Sequence, residues 1–460
     1  MTSDWPMSLP ARPTSRRPGF AILVTLMVVS MSLGGCSSFK DWDPFGKKQK
    51  PLPGERISVL TNERSLSADV APGEAKIILP APSANKDWPM AGGYANHAMH
   101  HIAVRDNLSE VWSRDIGTGA DDELRFVSPP VVGDGVVFAL DTQSQLSAYD
   151  LKTGDNIWDS DLEPENDDEG HIGGGVAYER GRVFVATGFG VVFAVDAKNG
   201  KVLWQEKVGI PLRAAPTVRG GRVFIVTLDN NLIAFDARDG KTLWTHAGAQ
   251  ETAALLGGAS PAVDNGIVVV PYSSGELFAL KVDTGKVIWQ ENLVSIRRTD
   301  AVAALAQIRG RPVIDRGKVI AISHAGVMAS IDLRTGRRLW SRDIGGTDSP
   351  WVAGDYIYTI TNDNELICVS RTDGKVLWVI GLPQFENPKD HEDPIVWSGP
   401  ILASDRLIVA GSDGEALALS PYDGHLIGVV EMPDGVSVTP IVADGTVIFL
   451  ANDADLVAYR

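Results

Sequence analysis

Three sets of residues have the types and spacing that could do chemistry. His97, His100 and His101 fall within five positions, and imidazoles so spaced bind zinc when a helix gathers them on one face. No helical periodicity surrounds them and no acidic or cysteine ligand lies close by, so surface or hairpin histidines are expected. The run from Asp161 through Glu163, Glu165, Asp167 and Asp168 to Glu169 is rich in carboxylates. It lacks the alternating oxygens and fixed glycine of a calcium loop, and reads as a solvated loop between strands. No Gly-x-Ser-x-Gly elbow, phosphate loop or Cys-x-x-Cys-His haem motif occurs.

The third set is the pair of cysteines, Cys36 and Cys368. Arg12, Arg16 and Arg17 precede an apolar run of 14 residues from Phe20 to Leu33, too short for a comfortable span of about 20. Leu33-Gly34-Gly35-Cys36 then sets small residues before a cysteine, the pattern of a bacterial lipobox. Residues 1–35 are expected to be a signal peptide, cut to leave Cys36 acylated and tethered to a membrane. Ser37 rather than aspartate follows, which by resemblance to enterobacterial sorting favours the outer membrane. Cys368 is left without a disulfide partner and is expected to be a small buried hydrophobe in a strand. Residues 36–86, with Lys47, Lys48, Lys50, Pro51 and Pro53, show no sustained periodicity and read as a flexible tether with one short strand near Ile57 to Leu60.

These side chains must be positioned by the rest of the chain. Of 460 residues, 44% are hydrophobic, enough for a large core, and 47 glycines with 27 prolines suit short strands and turns. A net charge of −16 opposes binding to anionic nucleic acid.

Self-similarity decides the architecture. One unit reads Ala215-Pro216-Thr217-Val218, then Arg222 to Val226, Asn231 to Asp236, and Asp239-Gly240-Lys241-Thr242-Leu243-Trp244. Its apolar stretches are too short for helices, and Asx-Gly or Thr-Gly pairs supply the positive φ of tight turns. The unit recurs with closing tryptophans at Trp158, Trp204, Trp244, Trp289, Trp340 and Trp378, spaced by 46, 40, 45, 51 and 38 residues. A seventh copy has Gly428 where tryptophan is expected, and an eighth, from Pro440, stops after its third strand. An orphan strand around Trp112 carries the missing tryptophan. The expectation is an all-β, eight-bladed β-propeller of four-stranded antiparallel blades over residues 87–460, its last blade closed by the N-terminal strand. The tryptophans are expected to pack between blades.

The Ala-x-Asp-x-x-Thr-Gly-x-x-x-Trp pattern resembles the PQQ-type propeller repeat shared by quinoprotein alcohol dehydrogenases and the BamB family of outer-membrane assembly lipoproteins. The lipobox, the tether with its Pro51-Leu52-Pro53-Gly54-Glu55-Arg56-Ile57 run, and the segment Trp88-Pro89-Met90-Ala91-Gly92-Gly93 with Asn96, His97 and His100 resemble the BamB family in its alphaproteobacterial form. That resemblance implies a lipid-anchored, periplasm-facing, non-catalytic scaffold without cofactor or metal. Its partners would be BamA, the outer-membrane assembly complex and nascent outer-membrane proteins. By the same resemblance, the partner surface comes from the loops holding Leu255 and Leu256, and Gln307 and Arg309. Enterobacterial members have an arginine where Leu256 stands and acids near Gln307 and Arg309, so Arg213, Arg297 and Arg298 are candidate substitutes. The rival is a PQQ- and Ca²⁺-dependent dehydrogenase, against which stand the absent adjacent-cysteine pair and the lack of a recognisable Ca²⁺ donor set.

Overall fold

The computed structural model describes residues 66–71, 73–74, 76–164, 172–251, 253–294 and 305–460. Cys36, Arg297, Arg298, the strand expected at Ile57 to Leu60 and most of the acidic run after Pro164 lie outside the described residues. Among those described there is no helix. Eight four-stranded antiparallel sheets follow one another as blades 1 to 8: 131–161, 175–207, 217–247, 262–292, 313–342, 351–381, 397–431, and 441–459 with 110–115. In blade 8 the outer strand Glu110–Asp115 pairs antiparallel with Asp455–Tyr459, so the ring closes by strand exchange as the orphan Trp112 strand implied. A short extra hairpin pairs Phe385–Asn387 with Glu392–Pro394 between blades 6 and 7.

The Asp-x-x-Thr-Gly turns form because the aspartate caps its own backbone. Asp150 Oδ1 accepts from the N–H of Lys152 at 2.8 Å and of Thr153 at 2.9 Å, and Gly154 then takes φ +70°. Those bonds to Thr153 hold the Asp150 carboxyl below its usual range. Past each turn, the third and fourth strands pair with a one-residue bulge. In blade 2, Ala194 faces Trp204 while Val195 faces Val202, leaving Leu203 unpaired and exposed. The residue opposite the tryptophan is small in every such blade. Cys368 occupies that place opposite Trp378, so it is an alanine-sized core residue, fully buried, with its thiol pKa pushed up by desolvation.

The indole of each tryptophan reaches the next blade. Trp112, Trp158, Trp204, Trp244, Trp289, Trp340 and Trp378 donate from Nε1 to the carbonyls of Leu151, Ala197, Ala237, Val282, Leu333, Arg371 and Pro421. Blade 7 has Gly428 instead, and its neighbour is the blade whose third and fourth strands come from opposite parts of the chain. No turn joins them, so a tryptophan there would find no turn glycine to lie on.

The inner strands are knit by one segment that sequence periodicity does not reveal. Residues 85–104 run round the channel and bond the blades in order. Asn85 Nδ2 donates to Val442 O in blade 8, and Trp88 exchanges backbone bonds with Val132 in blade 1. Tyr178 N donates to Pro89 O, Val218 N to Met90 Sδ, Val263 N to Ala95 O and Ile314 N to Asn96 O. Trp351 Nε1 donates to His100 O, and Ile102 N to Leu402 O in blade 7. The innermost strand of a blade has a free edge of N–H and C=O groups, and this segment supplies partners for it. It fills the channel at that level, where Trp88 stacks on Trp351 with ring centroids 6.2 Å apart.

Two sequence expectations change here. His97 and His101 are buried rather than superficial, because they pin this segment: His97 Nδ1 bonds Pro312 O at 2.8 Å, and His101 Nδ1 bonds Pro80 O at 2.7 Å. Burial, with Arg311 nearby, lowers the His97 pKa to about 3. The compact unit also starts before residue 87. Asp69 bonds the edge of blade 6 through Val376 and pairs with Arg342, and Ile77 is buried. Isolated backbone bonds of this kind leave no periodic signature.

Candidate partner-docking site at the channel mouth

The segments leading into the inner strands of blades 1, 4, 5, 6 and 8 meet at the open end of the channel. Two of these lead-ins, 253–261 into blade 4 and 305–312 into blade 5, carry Leu255, Leu256, Gln307 and Arg309. They are joined by one side chain. Gln307, 4% exposed, accepts from Leu255 N through Oε1 and donates from Nε2 to Gly257 O at 3.0 Å. The amide orientation is fixed by these opposite roles. Arg309 Nε adds a bond to Leu256 O at 2.9 Å, and Gly258 N donates to Arg213 O at 2.8 Å. Leu255, Leu256, Gln307, Arg309 and Arg213 are thus brought into one patch.

Their roles differ. Leu256 is exposed, with Ala253 and Ala254 beside it, and Leu255 is half-buried. Gln307 and Arg309 hold the loop from behind. Leu228, 38% exposed, joins the apolar rim of a small cavity of about 30 Å³ that Arg213 and Gln307 also line. Arg213 Nε is buried there without a hydrogen-bond partner.

A second cavity, of about 40 Å³, lies over the channel itself and is lined by Arg309, Arg311, Thr347, Asp348, Ser437 and Thr439 among others. Arg311 and Asp348 both face this cavity, and neither belongs to a recognisable motif. The only signal was the Arg309-Gly310-Arg311 alternation in a lead-in loop, which says nothing of where the loop points.

Among the described residues no three His, Cys, Asp or Glu side chains are placed to hold a metal. His97, His100 and His101 do not converge: His100 Nε2 lies 3.5 Å from Asp315 Oδ1, while His101 Nε2 accepts from Asp405 N.

An eight-bladed ring whose blades dock by an indole on the next blade's Gly turn defines the class of PQQ-like repeat propellers. Within it, the profile of the family described as outer membrane protein assembly factor BamB matches residues 142–380. A protein of that name from Escherichia coli is 30% identical over 347 residues, which span 74% of this chain and 86% of the relative. The chain belongs to the BamB family. The crystal structure of BamB from Moraxella catarrhalis superposes with a TM-score of 0.66 at 20% identity, over 77% of this chain and all of that one. A europium-containing methanol dehydrogenase reaches a TM-score of 0.64 at 15% identity, over 82% of this chain and 98% of the enzyme, a likeness of fold alone. Trp88 stacks on Trp351 between the inner strands, and among the described residues no three His, Cys, Asp or Glu side chains gather there, so the described residues do not fit a calcium-bound quinone.

Proposed function

We propose that this chain is a non-catalytic scaffold for outer-membrane protein assembly. A lipid on Cys36 holds it at the outer membrane facing the periplasm, and it docks on BamA through the lead-ins of blades 4 and 5. The observation that carries the docking site is the Gln307 clamp: a buried amide fixing a loop whose exposed tip is the apolar Leu256. Prearranged loops with an apolar anchor and a polar rim bind with little ordering cost. The enterobacterial charges are missing from these loops, so the contact here is apolar, with Arg213 and Arg309 at its border. The test is a pull-down of the full-length lipidated protein with BamA, repeated with Leu255→Asp and Leu256→Asp. Undiminished capture would remove these loops from the interface.

Substrate handling follows the same physics. The outer strand of blade 7, Leu426–Glu431, has a free edge and exposes Leu426, Ile427, Val429 and Val430. Such an edge offers backbone groups and apolar side chains to an extended segment of a nascent outer-membrane protein. Photo-crosslinking from position 427 to unfolded barrel protein tests it, and labelling no stronger than from an exposed turn such as position 198 would discard it. A purified chain that retained PQQ with Ca²⁺ and reduced dye with alcohols would overturn the non-catalytic reading.

A further inference from the structure

The channel is blind. At the level of the inner strands the 85–104 segment and the Trp88–Trp351 stack fill it, while the end over the lead-in loops stays open as a cavity of about 40 Å³. That volume holds roughly three water-sized groups. Two guanidiniums face it, Arg309 and Arg311, two positions apart on the lead-in to blade 5. In a chain with 58 acidic and 42 basic residues, most arginines could find a carboxylate. Among the described residues, neither of these has one within ion-pair distance; Arg309 Nε goes to Leu256 O and Arg311 NH1 to Ser349 Oγ at 3.2 Å.

Among the described residues the one carboxylate lining the cavity is Asp348, which lies beyond ion-pair distance of both guanidiniums. Asp348 accepts from the backbone N–H of Gly399, and burial raises its pKa in spite of the two arginines. The remaining polar lining is hydroxyl: Thr347, Ser349, Ser398, Ser437 and Thr439, from the lead-ins or inner strands of blades 6, 7 and 8. Two close guanidiniums repel one another, and burial with Arg309 beside it lowers the Arg311 pKa to about 10, still charged at neutral pH. Neutral hydroxyl donors around paired guanidiniums form the donor set of an oxyanion receptor.

We propose that the open mouth of the channel binds a small oxyanion, a carboxylate or phosphate group, between Arg309 and Arg311. The guanidiniums supply charge-assisted N–H bonds, the serine and threonine hydroxyls complete the shell, and the plugged floor limits the ligand to a single terminal group. A peptide's C-terminal carboxylate and free phosphate share this chemistry. The site does not depend on the docking role, since binding is read on the isolated protein.

Isothermal titration of the full-length protein in detergent tests it, with inorganic phosphate, acetate, and trialanine bearing a free or amidated C-terminus, all at matched chloride ionic strength. Saturable binding of at least one of phosphate, acetate or free trialanine is expected, with amidated trialanine silent. Arg311→Gln should weaken that binding about tenfold or more, the scale of a lost charge-assisted bond in a sheltered site. Should Arg311→Gln not fold, judged by its far-UV circular dichroism, the Ser349→Ala/Ser437→Ala double variant takes its place and should weaken binding severalfold. Phosphate binding alone assigns the site to a phosphate group, and free trialanine binding assigns it to a peptide terminus. No saturable binding of any anion, or unchanged affinity in a folded Arg311→Gln variant or in the double variant, overturns the proposal.

Discussion

Gly200 lies directly beneath the indole of Trp158: a Cβ placed on it would stand 2.6 Å from Cε3 of that ring. The relationship repeats round the ring, with Gly240 under Trp204 and Gly285 under Trp244. It explains why the turn glycine and the tryptophan recur together in the sequence. The glycine serves its own blade by taking φ +70° and serves the preceding blade by leaving room for the ring.

Those two demands can be separated by mutation. Gly200→Ala meets both the positive φ and the indole, and should cost about 3 kcal/mol. Gly221, at φ +78° with nothing within 4 Å of a Cβ, meets only the first, so Gly221→Ala should cost about 1 kcal/mol. Urea unfolding of both variants checks the difference, and equal losses would refute the stacking account.

The missing tryptophan gives a second test. Trp158→Ala removes a ring buried between blades and its bond to Ala197 O, and should cost about 3–5 kcal/mol. Gly428→Trp restores the repeat but faces a blade without the turn, so it should bring no stability. A gain above about 1 kcal/mol on denaturant titration would mean that blade 8 does offer a docking surface.

The blades were legible in the sequence because each rests on local signals: an Asp capping its own turn, a positive-φ glycine, and a tryptophan at fixed distance from both. The strand exchange at Trp112 was legible for the same reason, as one unit missing its fourth strand and one fourth strand missing its unit. The 85–104 segment was not. Each of its residues meets a different blade, so Trp88, Ala95 and Asn96 obey no common period, and the histidines that pin it resemble surface ones. The candidate site was legible in part. Leu255, Leu256, Gln307 and Arg309 come together, but the inward turn of Gln307 as a clamp, and the placing of Arg311 and Asp348 over the channel, depend on how separate blades converge.

Acid should weaken the ring through His97. Its folded pKa of about 3 lies below the ordinary histidine value of 6.5, so the unfolded chain takes up the proton first. Stability from this group is whole above pH 6.5 and falls as pH drops towards 3, by up to about 1.4 kcal/mol per unit. His97→Asn keeps a residue tolerant of its φ of +60° and removes the titration. Unfolding at pH 7 and pH 5 should lose about 2 kcal/mol more in the wild type than in the variant. Parallel losses in the two would show that His97 is not the group responsible.

Arg371 makes a buried pair across the junction of blades 5 and 6, with NH1 2.6 Å from Asp315 Oδ2 and NH2 donating to Asp315 O at 2.6 Å. Arg371→Met leaves the Asp315 carboxylate only the more exposed His100 and Arg316, at 3.5 and 3.8 Å, and should cost about 3 kcal/mol, while Arg371→Met with Asp315→Leu should recover most of it. A double-mutant cycle on denaturant unfolding measures the coupling. A double variant as unstable as the single one would place the loss in packing rather than charge.

The loop proposed to dock on BamA separates presentation from support. Leu256 points outward, so Leu256→Asp should leave unfolding free energy within about 0.5 kcal/mol of wild type while reducing capture of BamA. Gln307→Ala removes both bonds that hold the loop, to Leu255 N and Gly257 O, and leaves the half-buried N–H of Leu255 without its acceptor. It should cost about 1–3 kcal/mol and also weaken capture, because the loop must then be ordered on binding. Gln307→Glu keeps an acceptor for Leu255 N but sets a buried carboxylate against Gly257 O, so it should cost at least as much as Gln307→Ala. Measuring urea unfolding and BamA affinity on the same three proteins decides the matter. Capture that follows stability alone would make the loop a structural element, whereas a Leu256→Asp variant that is stable yet fails to bind makes it the contact itself.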